Sequence, residues 1–302
     1  MKSSTASPLK RAEESGDAAP EITITRRTLD LEKVIAEKNP ALFRVIPKLV
    51  LRYLKRVIHL DQLNEGLYRM RGRHGVDFVR AALDMFHLNI PVKGIAHLRA
   101  AERPIVVANH PLGGLDGMAI ISVVGREREV VVPVNDLLMY LPNLRELFVP
   151  VNKHGSNLRN VQVYDGAYAS EKTVIHFPAG LCSRRKGGRV RDLRWQKSFV
   201  AKARKHGRSV VPAWIGGENS RFFYTLANLR RWFSVKANIE MLYLVDEMFK
   251  QTSKTLPIVF GRPIPHTVFD QRHSDWEWAR KLRAYVYRLA RDENAFFFAE
   301  QP

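Results

Sequence analysis

Between Ala41 and Leu60 the chain reads ALFRVIPKLVLRYLKRVIHL, with Phe43, Ile46, Leu49, Val50, Tyr53, Leu54, Val57 and Ile58 at steps of three and four. Arg44, Lys48, Arg52, Lys55 and Arg56 lie between them. That spacing predicts a basic amphipathic helix, kinked or started late at Pro47, whose ring removes an N–H and clashes with the preceding turn. A helix docked on a protein core and one lying on a lipid surface share this periodicity, so both readings stay open. A second helical pattern runs from about His74 to His87 and ends before the extended stretch IPVKGIAHL. Short apolar runs then alternate with helical stretches: PIVVAN, GMAIISVV and REVVVPV, a helix from about Asn157 to Ser170, KTVIHF, and a helix from about Trp195 to His206. SVVPAWIGG, a helix from about Ser220 to Phe233, and LPIVFG continue the series. Strands spaced by helices of this length predict an α/β domain. NIEMLYLVDEMFK suits either a helix or a buried strand, and a final amphipathic helix from about Ser274 to Arg291 precedes a tail with Phe296, Phe297 and Phe298.

Charge changes this picture more than size does. The 302 residues, 45% of them hydrophobic, are ample for a buried core. Lys and Arg number 49 against 30 Asp and Glu, a formal charge of +19, so an anionic partner is expected: nucleic acid, anionic lipid or an acidic carrier protein. Cys182 stands alone and can form neither an internal disulfide nor a thiolate metal site. The opening MKSSTASPLKRAEESGDAAPE carries no apolar region of the kind a secretory signal has, and reads as a polar tail over residues 1–28. A helical region over 29–88, a catalytic domain over 89–295 and a second tail over 296–302 complete the expected organisation. No apolar run approaches the ~18 residues of a membrane span, so membrane contact is expected to be peripheral or monotopic.

Candidate chemistry begins where PIVVAN ends, in Asn109-His110-Pro111-Leu112-Gly113-Gly114-Leu115-Asp116-Gly117. A histidine between a strand's C-terminal end and a glycine-rich turn into a helix lies at the edge where open α/β sheets place ligands. It can take a proton from an alcohol if a carboxylate orients the ring, and Asp116 is the nearest carboxylate downstream. Gly113 and Gly114 let the turn fold back, and their N–H groups can face a developing oxyanion. The plainer alternative makes Asp116 the cap of a helix starting at Gly117 and His110 an ordinary loop histidine.

Asn109-His110 through Asp116, then Phe177-Pro178-Ala179-Gly180, then Val210-Val211-Pro212-Ala213, in this order and spacing, resemble the motifs of the glycerolipid acyltransferases, which include the lysophosphatidic acid acyltransferases. The resemblance spans roughly residues 85–265. It implies a mixed sheet flanked by helices with an N-terminal amphipathic helical extension, His110 as base and Asp116 as its orienting acid. It also implies substrate contacts from Gly113, Gly114, Phe177, Pro178 and Gly180. Two departures stand out: five residues, not the usual four, separate His110 from Asp116, and Ala179 replaces the glutamate that helps phosphate-bearing acceptors bind in the better-known enzymes. NHPLGGLDG, FPAGLCSRR, ENSRFFYTLANLRR and LVDEMFK are most similar to the bacterial branch that O-acylates lyso-ornithine or lyso-glycine lipids on the hydroxyl of a 3-hydroxy fatty acyl chain. A thioester of acyl carrier protein or coenzyme A is the implied donor, with no other cofactor. The implied place of work is an anionic membrane surface, the cytoplasmic face of the inner membrane.

Ser183-Arg184-Arg185-Lys186-Gly187-Gly188-Arg189-Val190-Arg191 is the densest positive cluster. It is either a solvated loop or, through Arg184 and Arg185, a clamp for the acceptor's head group or the donor's phosphate. Lys153 falls near a second basic motif, and Asn219 is either a substrate contact or the cap of the following helix. Cys182 as a nucleophile is disfavoured, because a free cysteine is more often a buried apolar residue. His154, His176 and His206 show no metal-ligand spacing. The rival classes are acylation of lysophosphatidic acid, a thioesterase that lacks the G-x-S-x-G elbow, and a nucleic-acid-binding protein. The last is disfavoured because no recognition motif accompanies the dispersed basic residues.

Overall fold

A computed structural model describes residues 24–151, 158–235 and 237–297. It opens on helices α1 (Leu31–Lys38), α2 (Pro40–Val45), α3 (Lys48–Val57), α4 (Leu60–Arg69) and α5 (Gly75–Asp84). The single helix expected over 41–60 is therefore broken twice. Pro47, extended at φ −63° and ψ 144°, precedes α3, where a missing N–H costs nothing. His59, in left-handed backbone at φ 50°, separates α3 from α4. Its ring stacks 4.4 Å from Phe249 and its Nε2 lies 3.0 Å from Asp246 Oδ1, which ties this bend to a later part of the chain. In α3 only Leu51 is buried, whereas Leu49, Val50 and Tyr53 of the predicted apolar face are exposed.

Then follow β1 (Val92–Lys93), α6 (Ile95–Ala100), β2 (Ile105–Ala108), α7 (Gly114–Val124), β3 (Val130–Val134), β4 (Phe148–Pro150), α8 (Leu158–Ala169), β5 (Thr173–His176), β6 (Arg184–Lys186) and β7 (Arg189–Arg191). The chain closes with α9 (Ser198–His206), β8 (Val210–Ile215), α10 (Arg221–Trp232), α11 (Leu244–Phe249), β9 (Ile258–Phe260) and α12 (Asp275–Leu289). Seven strands form one sheet in the order β1-β9-β8-β2-β5-β3-β4. β8 and β9 run antiparallel and the other neighbours parallel, so the sheet is mixed, as expected. β6 and β7 form a separate antiparallel hairpin where the sequence suggested a loop, because RRK and RVR carry almost no apolar signal. IAHL, expected to be extended, is helical in α6, and NIEMLYLVDEMFK resolves as a 3-10 turn over Ile239–Tyr243 leading into α11.

β2 lies at the centre with every residue buried, as a strand covered on both faces must be. Its side chains alternate: Val106 and Ala108 pack with Phe78, Val79, Leu115 and Ile120 on one face, Ile105 and Val107 with Tyr168, Phe199, Trp278 and Leu282 on the other. Each of the larger aliphatic and Phe side chains among these, removed from water, contributes ~1.5–3 kcal/mol. The second layer extends to Phe297, whose ring centroid lies 5.5 Å from that of Tyr285. This central strand delivers the chain directly to His110.

Candidate active site

At the end of β2, Asn109 turns its buried amide toward β8: Nδ2 donates to Ile215 O at 2.8 Å and Oδ1 accepts from Ile215 N–H at 2.7 Å. One side chain thus joins the C-terminal edges of two strands, and the next residue, His110, projects from a fixed base. Gly113 then adopts φ 88° and ψ −114°, where a side chain would be strained and a Cβ would press on Leu244 at 3.2 Å. This turn starts α7 at Gly114, three residues before the expected Gly117, and places Asp116 in its first turn. Asp116 is buried; its Oδ2 accepts from Leu112 N–H at 2.8 Å and Gly113 N–H at 3.3 Å, and its Oδ1 from Gly117 N–H at 2.8 Å. His110 Nδ1 lies 3.1 Å from Asp116 Oδ1, an ion-pair contact whose N–H points off the oxygen and falls short of an aligned hydrogen bond. The extra residue of the motif is absorbed in the turn. The same carboxylate that satisfies the first N–H groups of α7 also lies against His110.

The same geometry corrects the oxyanion expectation. Gly113 N–H is committed to Asp116 and does not face a substrate, while Gly114 supplies one of the first-turn N–H groups that a helix leaves without an internal acceptor. A second carboxylate, absent from the sequence reading, stands behind the histidine. Asp192 is buried, and its Oδ1 accepts from His110 N–H at 3.1 Å and Ser183 Oγ at 2.6 Å, its Oδ2 from Trp195 Nε1 at 2.7 Å. Burial raises the Asp192 pKa above the ordinary carboxylate value, with these donors opposing. For His110, burial pulls the pKa down, but the charges of Asp116 and Asp192 and the contact to Asp116 outweigh it, so the imidazole is more basic than the ordinary 6.5. Nothing in VRDLRW marks Asp192 from sequence, because the His110 it meets lies 82 positions away.

Phe177 follows β5 and packs its ring against the imidazole at a centroid distance of 4.4 Å. Pro178 and Ala179 form the turn closed by Gly180 N–H donating to Phe177 O at 3.1 Å, with Gly180 at φ 63°. Ala179 packs in the apolar cluster that holds Trp195 and Phe199, so a glutamate in its place would bring a carboxylate into an oily layer. Of this motif, Phe177 is the residue whose ring touches His110.

Arg184 does not serve as the expected clamp. It is buried, its Nη2 donates to Glu240 Oε1 at 2.6 Å, and its Nη1 donates to Cys182 O at 2.6 Å. Arg185, partly exposed, donates to Glu218 Oε2 at 3.1 Å and lies over the Tyr224 ring. Burial pushes the Cys182 thiol up to about 11, against the pull of Arg184, and this disqualifies it as a nucleophile. Asn219 is buried and reaches Pro111 O at 3.5 Å, while Ser220 makes the cap, accepting from Phe223 N–H. Lys153 and His154 lie outside the described residues.

A mixed sheet that carries a histidine and a buried carboxylate at its C-terminal edge, in this motif order, defines an acyltransferase. The chain belongs to the acyltransferase family, whose pattern matches residues 33–295, and it is an enzyme of acyl transfer. It is similar to a lyso-glycine lipid O-acyltransferase of Bacteroides thetaiotaomicron, 42% identical over 86% of this chain and 97% of that protein. A protein of the same description from Phocaeicola vulgatus is 41% identical over 86% of this chain and 95% of its own length. Among solved structures, the 1-acyl-sn-glycerophosphate acyltransferase of Thermotoga maritima superposes with a TM-score of 0.46 at 17% identity, covering 86% of this chain and 95% of that one.

Proposed function

We propose that this enzyme esterifies the hydroxyl of a lyso-aminolipid, with a lyso-glycine lipid as the preferred acceptor and a fatty acyl thioester of acyl carrier protein or coenzyme A as donor. The observation that carries the chemistry is the 3.1 Å contact between His110 Nδ1 and the amide-anchored Asp116. His110 Nε2 takes the acceptor's hydroxyl proton as that oxygen attacks the thioester carbonyl. The new C–O bond forms, the C–S bond breaks, and the proton passes to the departing thiolate. Asp116 steadies the imidazolium, and the N-terminal end of α7 faces the oxyanion with Gly114. Two facts support an amino-lipid acceptor: the description shared by the two relatives, and Ala179 in the position where enzymes of phosphate-bearing acceptors carry glutamate. Purified enzyme offered lyso-glycine lipid, lyso-ornithine lipid and lysophosphatidic acid with each thioester should form ester on the glycine lipid fastest. Turnover of lysophosphatidic acid alone would return the enzyme to phospholipid synthesis.

The membrane surface is the natural place to meet such an acceptor, and two exposed features support peripheral binding there. No helix among the described residues is long and apolar enough to cross a membrane. α3 exposes Leu49, Val50 and Tyr53 and contains four basic residues and no acidic one, and the end of α10 exposes Leu229 and Trp232 ahead of Phe233. Tyr53 Oη lies 2.6 Å from Tyr243 Oη, and the Tyr243 ring packs on Phe222 in the first turn of α10, so α3 is linked through Tyr243 to the start of that helix. Apolar side chains inserted at the interface would contribute ~1.5–3 kcal/mol each and nearby cations ~1 kcal/mol each. Leu49→Glu with Trp232→Glu should therefore weaken sedimentation with phosphatidylglycerol-containing vesicles at least about tenfold. Unchanged sedimentation would remove this face from the proposal.

A further inference from the structure

A cavity of about 370 Å³ opens beside the catalytic turn, between the ends of β2 and β8, the β6–β7 hairpin and the end of α12. The buried residues on either side of His110, Asn109 and Pro111, line it. So do Arg189, Arg191 and Arg291, all exposed. None of these three arginines has an acidic partner among the described residues. Arg191 is held only over the ring of Tyr287, 5.3 Å from its centroid. Several other surface arginines are paired with carboxylates, as Arg99 is with Glu127, Arg204 with Asp275 and Arg272 with Asp270. Among the described residues, Glu218 is the one acidic residue lining the cavity, and Arg185 already occupies it at 3.1 Å.

The hairpin explains how the cations converge. Gly187 and Gly188, at φ 56° and 74°, make the two-residue turn that antiparallel strands favour and set Arg189 opposite Lys186 and Arg191 opposite Arg184. With Arg184 withdrawn to Glu240 and Arg185 to Glu218, the second strand is left to present free charge. Three guanidinium groups gathered on one concavity repel one another until an oxyanion enters.

We propose that this cavity is the acceptor's carboxylate site, in which Arg189, Arg191 and Arg291 hold the carboxylate of an N-acylated amino acid while its hydroxyl reaches His110. The proposal rests on the lyso-aminolipid reading above. Acylating the nitrogen of glycine removes its positive charge and leaves one carboxylate, so the head is a plain anion. From a hydroxyl on the third carbon of the acyl chain to that carboxylate is about two residue lengths of extended chain, ~7 Å, so the anion site must adjoin the catalytic turn. A cavity with surplus positive charge also disfavours the side-chain ammonium of an ornithine head, which sets glycine above ornithine. The donor is the other source of an oxyanion, through the phosphate of its pantetheine arm or nucleotide.

Separate Michaelis constants for acceptor and donor distinguish the two sources. In Arg191→Gln, and more so with Arg189→Gln and Arg291→Gln added, the acceptor KM should rise about tenfold or more while kcat at saturating acceptor stays within about twofold and the donor KM does not move. The wild type should use the glycinamide counterpart of the acceptor about tenfold less well, and the triple variant should treat acid and amide alike. A raised donor KM with an unchanged acceptor KM would place the donor's phosphate here and overturn the assignment, as would no change in either. Calorimetric titration with N-palmitoylglycine and N-palmitoylglycinamide, neither of which has a hydroxyl to acylate, tests the site without turnover. Binding of the acid in preference to the amide, lost in Arg191→Gln, upholds the site even if lyso-glycine lipid proves a poor substrate. Equal binding of the two ligands overturns it.

Discussion

His110→Ala is expected to lower kcat by ~10²–10⁴-fold, the range that a positioned acid–base residue supplies. The exchange removes the base at the end of β2 but leaves Asp116 tied to the Leu112, Gly113 and Gly117 N–H groups, so the variant should fold as wild type does. Single-turnover ester formation measured with saturating donor is the direct readout, and a variant as active as wild type would remove His110 from the base's role. The pH profile carries the same assignment further. A general base works as neutral imidazole, so activity falls as pH drops through the His110 pKa, and because that pKa is raised the acid limb of kcat/KM should lie above 6.5. Asp116→Asn removes a carboxylate that raises it, so the limb should move to lower pH. The plateau should fall as well, since the one oxygen of an asparagine amide cannot accept all three backbone N–H bonds. A limb that does not move would mean the titrating group is not His110.

Glu240→Ala should cost ~3–5 kcal/mol of stability in urea unfolding, the usual result of stripping the counter-charge from a buried ion. Glu240 is fully buried and meets Arg184 Nη2 at 2.6 Å on one oxygen. Its other oxygen lies 2.8 Å from Arg230 Nε, an ion contact that misses hydrogen-bond alignment. Without the carboxylate, two guanidinium groups would remain in a pocket shared with Phe223, whose ring Arg184 overlies at 5.4 Å. Arg184→Met combined with Glu240→Leu should recover part of the loss, because an apolar pair of similar volume needs no desolvation of charge. If Glu240→Ala unfolds at the same urea concentration as wild type, the triad contributes no stability. Arg184 would then again be available as a substrate contact.

The α/β class, most of the longer strands and helices, and the acyltransferase family are legible in the residues. Apolar runs of strand length spaced by amphipathic helices report a local periodicity, and the motifs at His110, Phe177 and Val210 carry their own spacing. Short or polar elements were illegible for the converse reason. β4 and the hairpin of β6 and β7 contain too few apolar residues to show a period. GMAIISVV is buried nearly all round in α7 and so shows no distinct helical face. The basic segment around Arg184 illustrates the limit most sharply. Four of its arginines look alike in sequence, yet Arg184 is buried against Glu240, Arg185 is paired with Glu218, and Arg189 and Arg191 line an open cavity.

Asp192 teaches the same lesson for the active site, since its carboxylate joins the nearby Ser183 hydroxyl and Trp195 indole to the His110 backbone N–H, 82 positions away. What the sequence by itself determined is the set of local choices: which stretches form helix or strand, where glycine permits the turn at Gly113, and which histidine stands at the end of the central strand. Only the tertiary structure decided which charges are neutralised, which apolar face of α3 meets protein, and which carboxylates surround His110. Those properties depend on distances between residues far apart in the chain and on how much water each keeps, and neither quantity is written in local spacing.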